Sequence, residues 1–75
     1  FKLSARLEVD YVNERYKLDL PEHEQYETLG GLVVHATENI PDEMEEVLIG
    51  NYSFKILEKS HNKIDLVELH IIPEE

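Results

Sequence analysis

Asp42, Glu43, Glu45 and Glu46 form the densest run of carboxylates in the chain. Hard oxygen donors at such density can hold Mg2+ or Ca2+ weakly. No calcium-loop spacing accompanies them, so a solvated acidic turn is the favoured reading and a metal site the alternative. The histidines are His23, His35, His61 and His70. His35 and Glu38 lie one helical turn apart, which suits a metal pair, but two ligands do not close a site. Gly30-Gly31 is the sharpest local feature. Two glycines at a helix start cost about 1 kcal/mol each against alanine, so something should compensate. Bare amides around Thr28, Gly30 and Gly31 could cradle the phosphate of a nucleotide or flavin. Close backbone packing serves equally, and it is favoured because Glu22, Glu24 and Glu27 lie just upstream and repel phosphate.

Catalysis has little to work with. Cysteine is absent, and Ser4, Ser53 and Ser60 sit outside any nucleophile-elbow pattern. No carboxylate pair is marked for acid–base work. Tyr11, Tyr16, Tyr26 and Tyr52 lack the basic neighbours of a base-stacking platform and read as packing residues. The expectation is a non-catalytic domain with no obligatory cofactor.

Charge narrows the partners. Seventeen acids against seven Lys and Arg give a net −10, which excludes nucleic acid, where binding runs on cations neutralising phosphates. An anionic lipid surface is excluded for the same reason. No apolar run approaches the length of a spanning helix. Seventy-five residues make one domain, expected to span 1–75. The chain opens at Phe1 and enters patterned sequence directly, which suggests a segment excised from a larger protein.

The elements that must position these residues follow from periodicity. Phe1, Leu3, Ala5 and Leu7 alternate with polar residues and predict a half-buried strand. From Glu8 the period turns helical, with Val9, Val12 and Tyr16 on one face. Leu18 and Leu20 run extended to Pro21, and an acidic loop follows over Glu22–Glu27. Thr28 is the expected N-cap of a second helix. Leu29, Leu32, Val33, Ala36 and Ile40 form its core face, and the helix should end near Asn39. Gly31, Val34 and Glu38 lie on its other face; Val34 either meets a partner or packs on the first helix. After the acidic turn, Val47–Ile49 and Tyr52–Ile56 predict strands joined at Gly50-Asn51. A hairpin turn falls within Glu58–Lys63, and a last strand covers Ile64–Ile72. Ile64 is out of step with Val67, Leu69 and Ile71, so a bulge near Asp65-Leu66 is expected. The order β-α-α-β-β-β predicts an α+β domain with a small antiparallel sheet.

The stretch Tyr26-Glu27-Thr28-Leu29-Gly30-Gly31-Leu32-Val33 resembles the Y-x-T-L-G-G-L-V segment of the CorC/HlyC transporter-associated domain. Leu18-Asp19-Leu20-Pro21 is similar to the family's L-D-L-P, and Ile40-Pro41 to its I-P. Gly50, Phe54 and Ile56-Leu57-Glu58 are similar to G-x-x-F-x-V-L-E, and Ile64, Val67 and Leu69 to the closing strand. The resemblance runs from about Leu3 to Ile72. Two departures are Ser4-Ala5, where the family often has Gly, and Asp42-Glu43-Met44 after the I-P element, where Gly is again common. The resemblance implies a fold similar to part of flavin-binding domains and a place behind a membrane domain and a pair of CBS modules. It also implies the cytoplasmic side of the inner membrane and a role modulating ion transport, most often magnesium and cobalt efflux. Some members carry a hemolysin label. The expected mechanism is contact: a surface around Gly31, Val34, Glu38 and the acidic loop docks the CBS modules, the membrane domain or a second copy in a homodimer.

Overall fold

The structure, a computed structural model, describes residues 1–73. Its order is β1 (Lys2–Ser4), α1 (Val9–Tyr16), α2 (Leu29–Thr37), β2 (Glu46–Ile49), β3 (Tyr52–Ser60) and β4 (Lys63–Ile71). The four strands form one antiparallel sheet in the order β1-β4-β3-β2. This is the α+β order the periodicity predicts.

Alternation decides the two faces of the sheet. Leu3, Val47, Tyr52, Phe54, Ile56, Val67 and Leu69 are buried in one cluster with Val9 and Val12 of α1 and with Leu29, Leu32 and Val33 of α2. Both helices therefore cover the same face. On the other face Lys2, Glu68, Lys55 and Glu46 stand opposite one another across all four strands. Opposite charges on directly facing strands attract, so this row supports the register from the solvent side.

The hairpins are tight. Ile49 pairs with Tyr52 across Gly50, whose φ of 61° is left-handed. Ser60 pairs with Lys63, so β3 runs to Ser60 and leaves only His61-Asn62 as the turn. The sequence reading ends that strand at Ile56 because Glu58, Lys59 and Ser60 carry no apolar alternation. Pairing with β4 carries the strand onward instead. The bulge falls where Ile64 is out of phase. Ile56 faces Val67, Glu58 faces Leu66 and Lys59 faces Ile64. Leu57 is thus an extra residue on β3 and Asp65 on β4. The two offsets cancel, and Ile64 returns to the buried face.

Three local expectations are corrected. β1 stops at Ser4 rather than Leu7, because the chain turns there and the Leu7 amide donates to the Ser4 carbonyl. Phe1 stays half exposed, resting its ring against Tyr16 at 4.8 Å. α2 ends at Thr37, with Glu38 in the left-handed conformation at φ 61°. Ala36 is exposed and Gly30 is buried in its place. The cause is a close approach: the Gly30 amide donates to the Ala5 carbonyl at 2.9 Å, which turns that side of α2 inward. Leu29, Leu32 and Val33 remain in the core.

Loops are tied back by side chains. Asn13 accepts from the Leu20 amide at 2.7 Å and donates to the Leu20 carbonyl at 2.9 Å. Tyr52 accepts from the Asp19 amide. Together they close Leu20 over the core. Among the described residues no helix is long and apolar enough to cross a membrane.

Candidate functional site

Thr28 caps α2 by accepting the Gly31 amide at 3.1 Å. The Leu29 amide donates to the Leu7 carbonyl and the Gly30 amide to the Ala5 carbonyl, each at 2.9 Å. The first three amides of the helix therefore already have protein acceptors. A phosphate at Thr28, Gly30 and Gly31 would find none of them free, and the donors that a nucleotide or flavin reading needs there are spent. Both glycines are sites of close approach. A Cβ on Gly30 would stand 3.3 Å from the Ala5 Cβ and carbonyl oxygen, and one on Gly31 would stand 2.9 Å from the Tyr26 Cβ. Docking the first turn of α2 against the Ala5–Leu7 turn and Tyr26 is what offsets the cost of two glycines.

That docking leaves a surface groove of about 350 Å3 beside the helix start. Its lining includes buried Ala5, Gly30 and Ile64, and half-buried Gly31, Val34 and Ile40 form an apolar wall. Arg6, Thr28, Asn62 and Lys63 complete the rim. Val34 and Ile40 are half-buried against the core and also line the groove, so Val34 is neither free in solvent nor fully buried. Two of the three residues expected to form an interaction surface, Gly31 and Val34, line this groove. The third, Glu38, is exposed at the C-cap of α2 and outside it. Arg6 comes from the turn after β1, and Lys63 is the first residue of β4. Among the described residues the ion pairs are Lys59 with Asp42 and His70 with Glu68, so neither rim cation is neutralised. Sequence reasoning missed Arg6, Asn62 and Lys63, because only the β1–β4 pairing brings them beside α2.

A second hollow, of about 220 Å3, is acidic, with Glu8, Asp10, Glu22 and Glu27 around His23 and Tyr26. The Tyr26 hydroxyl donates to the Pro21 carbonyl at 2.6 Å. Burial, and then the Glu22 carboxylate, push its ionisation above the usual phenol range. His23 and His35 come together here with ring centres 4.8 Å apart, and each also meets the Tyr26 ring. Their separation in sequence gave no sign of this. Among the described residues no three His, Asp or Glu side chains converge on a metal position. Asp42 instead pairs with Lys59 at 3.2 Å, and Glu43 accepts from the Lys59 amide. Glu45 accepts from the Asp42 amide.

On the open sheet face His70 lies 2.9 Å from a Glu68 oxygen. That hydrogen bond is the largest influence on the Glu68 carboxyl; desolvation, the next largest, pushes the other way, and the His70, Lys55 and N-terminal charges help the hydrogen bond hold it below the usual carboxylate range. The folded form binds that proton less readily than the unfolded chain. Its contribution is therefore full above the unfolded value and is lost as pH falls through the folded one. NMR titration should place the Glu68 midpoint low among the glutamates and show it rising in His70→Ala. An unmoved midpoint would mean the hydrogen bond is not made in solution.

The family profile described as "Transporter associated domain" (CorC_HlyC) matches residues 1–73. The polyamine export protein of Haemophilus influenzae is 29% identical over 55 residues; the match covers 73% of this chain and 13% of that protein. This chain thus spans only a small part of that relative. The transporter-associated domain CorC_HlyC from Nitrosomonas europaea superposes with a TM-score of 0.79 at 25% identity, covering 93% of this chain and 84% of that one. The CorC_HlyC domain from Haemophilus ducreyi gives 0.79 at 23% identity over 99% and 97% of the two chains. The corresponding domain of a Xylella fastidiosa hemolysin, in complex with Mg2+ and Mn2+, gives 0.82 at 19% identity over 97% and 87%. These last two likenesses are of fold alone.

Proposed function

The chain belongs to the CorC_HlyC transporter-associated domain family, and from that membership we propose that it is a non-catalytic accessory module of a larger membrane protein. In this reading the parent protein carries a membrane domain and a CBS pair. The module lies on the cytoplasmic side of the inner membrane and tunes the transport of divalent cations. It acts by contact, since its docking state biases the conformation of what it touches.

The observation that carries this reading is the groove beside α2. Among the described residues its lining holds no carboxylate, no histidine and no cysteine, so Lys63 has no acid–base or nucleophilic partner in it. It presents instead an apolar wall of Val34 and Ile40 between two uncompensated cations, a composition suited to a docked segment with an apolar anchor and negative charge. The fold and family support the transport context, and the relative from Haemophilus influenzae is by name a polyamine export protein.

The test is made in the parent gene. Deleting the module, or replacing Val34 by Glu, should change cellular tolerance to Mg2+ and Co2+ while the membrane domain is still produced. Unchanged tolerance in both strains would sink the proposal. A change confined to tolerance of a polyamine would reassign the cargo.

A further inference from the structure

We infer that the groove beside α2 is the seat for the acidic loop Asp42–Glu46 of a second copy of this chain, with Met44 as the inserted anchor. The inference rests on the docking reading above and names the occupant.

Charge is the first argument. Seven Lys and Arg stand against seventeen acids, so two copies repel over most of their surfaces. Arg6 and Lys63 flank the groove, and neither makes an ion pair among the described residues. A cationic rim on an acidic protein selects an acidic partner, and like-charged surfaces elsewhere leave few other ways for copies to meet. The apolar wall of Val34 and Ile40 adds the need for an apolar side chain among those acids.

The loop carries that combination. Met44 is 57% exposed and sits among Asp42, Glu43, Glu45 and Glu46. Its φ of 70° is left-handed, a conformation disfavoured for any residue with a side chain. Two bonds hold it there: the Met44 amide donates to the Ile56 carbonyl at 2.6 Å, and the Glu45 amide to the Asp42 carbonyl at 3.1 Å. The backbone is thus fixed beside β3 with the side chain in solvent. Methionine, flexible and polarisable, adapts well to an apolar wall.

Connectivity supplies the symmetry. Ile40 ends the groove wall, and the loop starts at Asp42, so seat and anchor adjoin. A two-fold axis between them would place each loop in the other copy's groove, an isologous contact that closes on itself.

The experiment is sedimentation equilibrium of the chain up to millimolar concentration. The variants are R6E/K63E, E43K/E45K and the chain carrying all four substitutions, with Met44→Ser alongside. All these positions are exposed, and circular dichroism melts check that each variant folds. A reversible wild-type dimer is expected, weakened about tenfold or more by either charge reversal and by Met44→Ser. The four-substitution chain should recover most of the loss, because its seat and loop have exchanged sign. A wild type that stays monomeric overturns the inference, and so does a dimer indifferent to these changes. If the chain is monomeric and deleting it still alters cation tolerance, the docking reading stands and the second copy is ruled out as occupant.

Discussion

Phe54→Ala should leave much of the chain unfolded at room temperature. Phe54 is fully buried at the centre of the sheet, facing Val47 on one side and Leu69 on the other. Emptying such a position typically costs 3–5 kcal/mol, from lost transfer energy plus an unfilled cavity (about 3 or more here, in a rigid sheet). A chain of this length has roughly 4–11 kcal/mol in total, and small domains lie at the low end because they bury a smaller share of their surface. The melting temperature should fall by roughly 20 °C or more. Urea or thermal unfolding measures it directly, with Leu48→Ala as the control. Leu48 lies on the open sheet face and is 68% exposed, so its loss should cost no more than about 0.5 kcal/mol. Similar losses in both variants would mean that the helices do not cover the face described.

Gly31→Ala is expected to destabilise the chain by about 1–2 kcal/mol, opposite in sign to the usual effect of replacing a helical glycine. Helix propensity alone would favour alanine by about 1 kcal/mol. The added methyl, however, would stand 2.9 Å from the Cβ of Tyr26 and 3.3 Å from the hydroxyl of Thr28. A Cβ is fixed to its backbone and cannot swing aside, so the 22–27 loop or the first turn of α2 must move. Such overpacking costs about 1–3 kcal/mol. Displacement would also disturb the Thr28 cap and the Tyr26 bond to Pro21. A double-mutant cycle with Tyr26→Gly isolates the clash, because removing the opposing Cβ should make the second change much less costly. A stabilised Gly31→Ala chain would show that the approach is looser than the structure has it.

The two positions differ in how visible they are from sequence. Phe54 stands in the Tyr52–Ile56 alternation, and burial follows once that run is read as a strand. Gly31 announces only that something unusual happens. Whether the glycine serves an anion or a neighbouring backbone depends on Tyr26, Ala5 and Leu7, and on which amides they leave free. The acidic turn is similar: its carboxylates are plain to see, but the left-handed backbone at Met44 and the pairing of Asp42 with Lys59 come from contact with β3.

The order of elements, the Thr28 cap, the apolar phase of most strands and the bulge at Asp65 were set by local sequence, because period, capping and alternation act between residues a few positions apart. Docking between distant segments decided the rest. It buried Gly30 and exposed Ala36, brought His23 to His35, and set Arg6 and Lys63 beside Val34. These depend on how the turn after β1 and the 22–27 loop meet the start of α2, approaches governed by backbone hydrogen bonds and excluded volume rather than by any pattern along the chain.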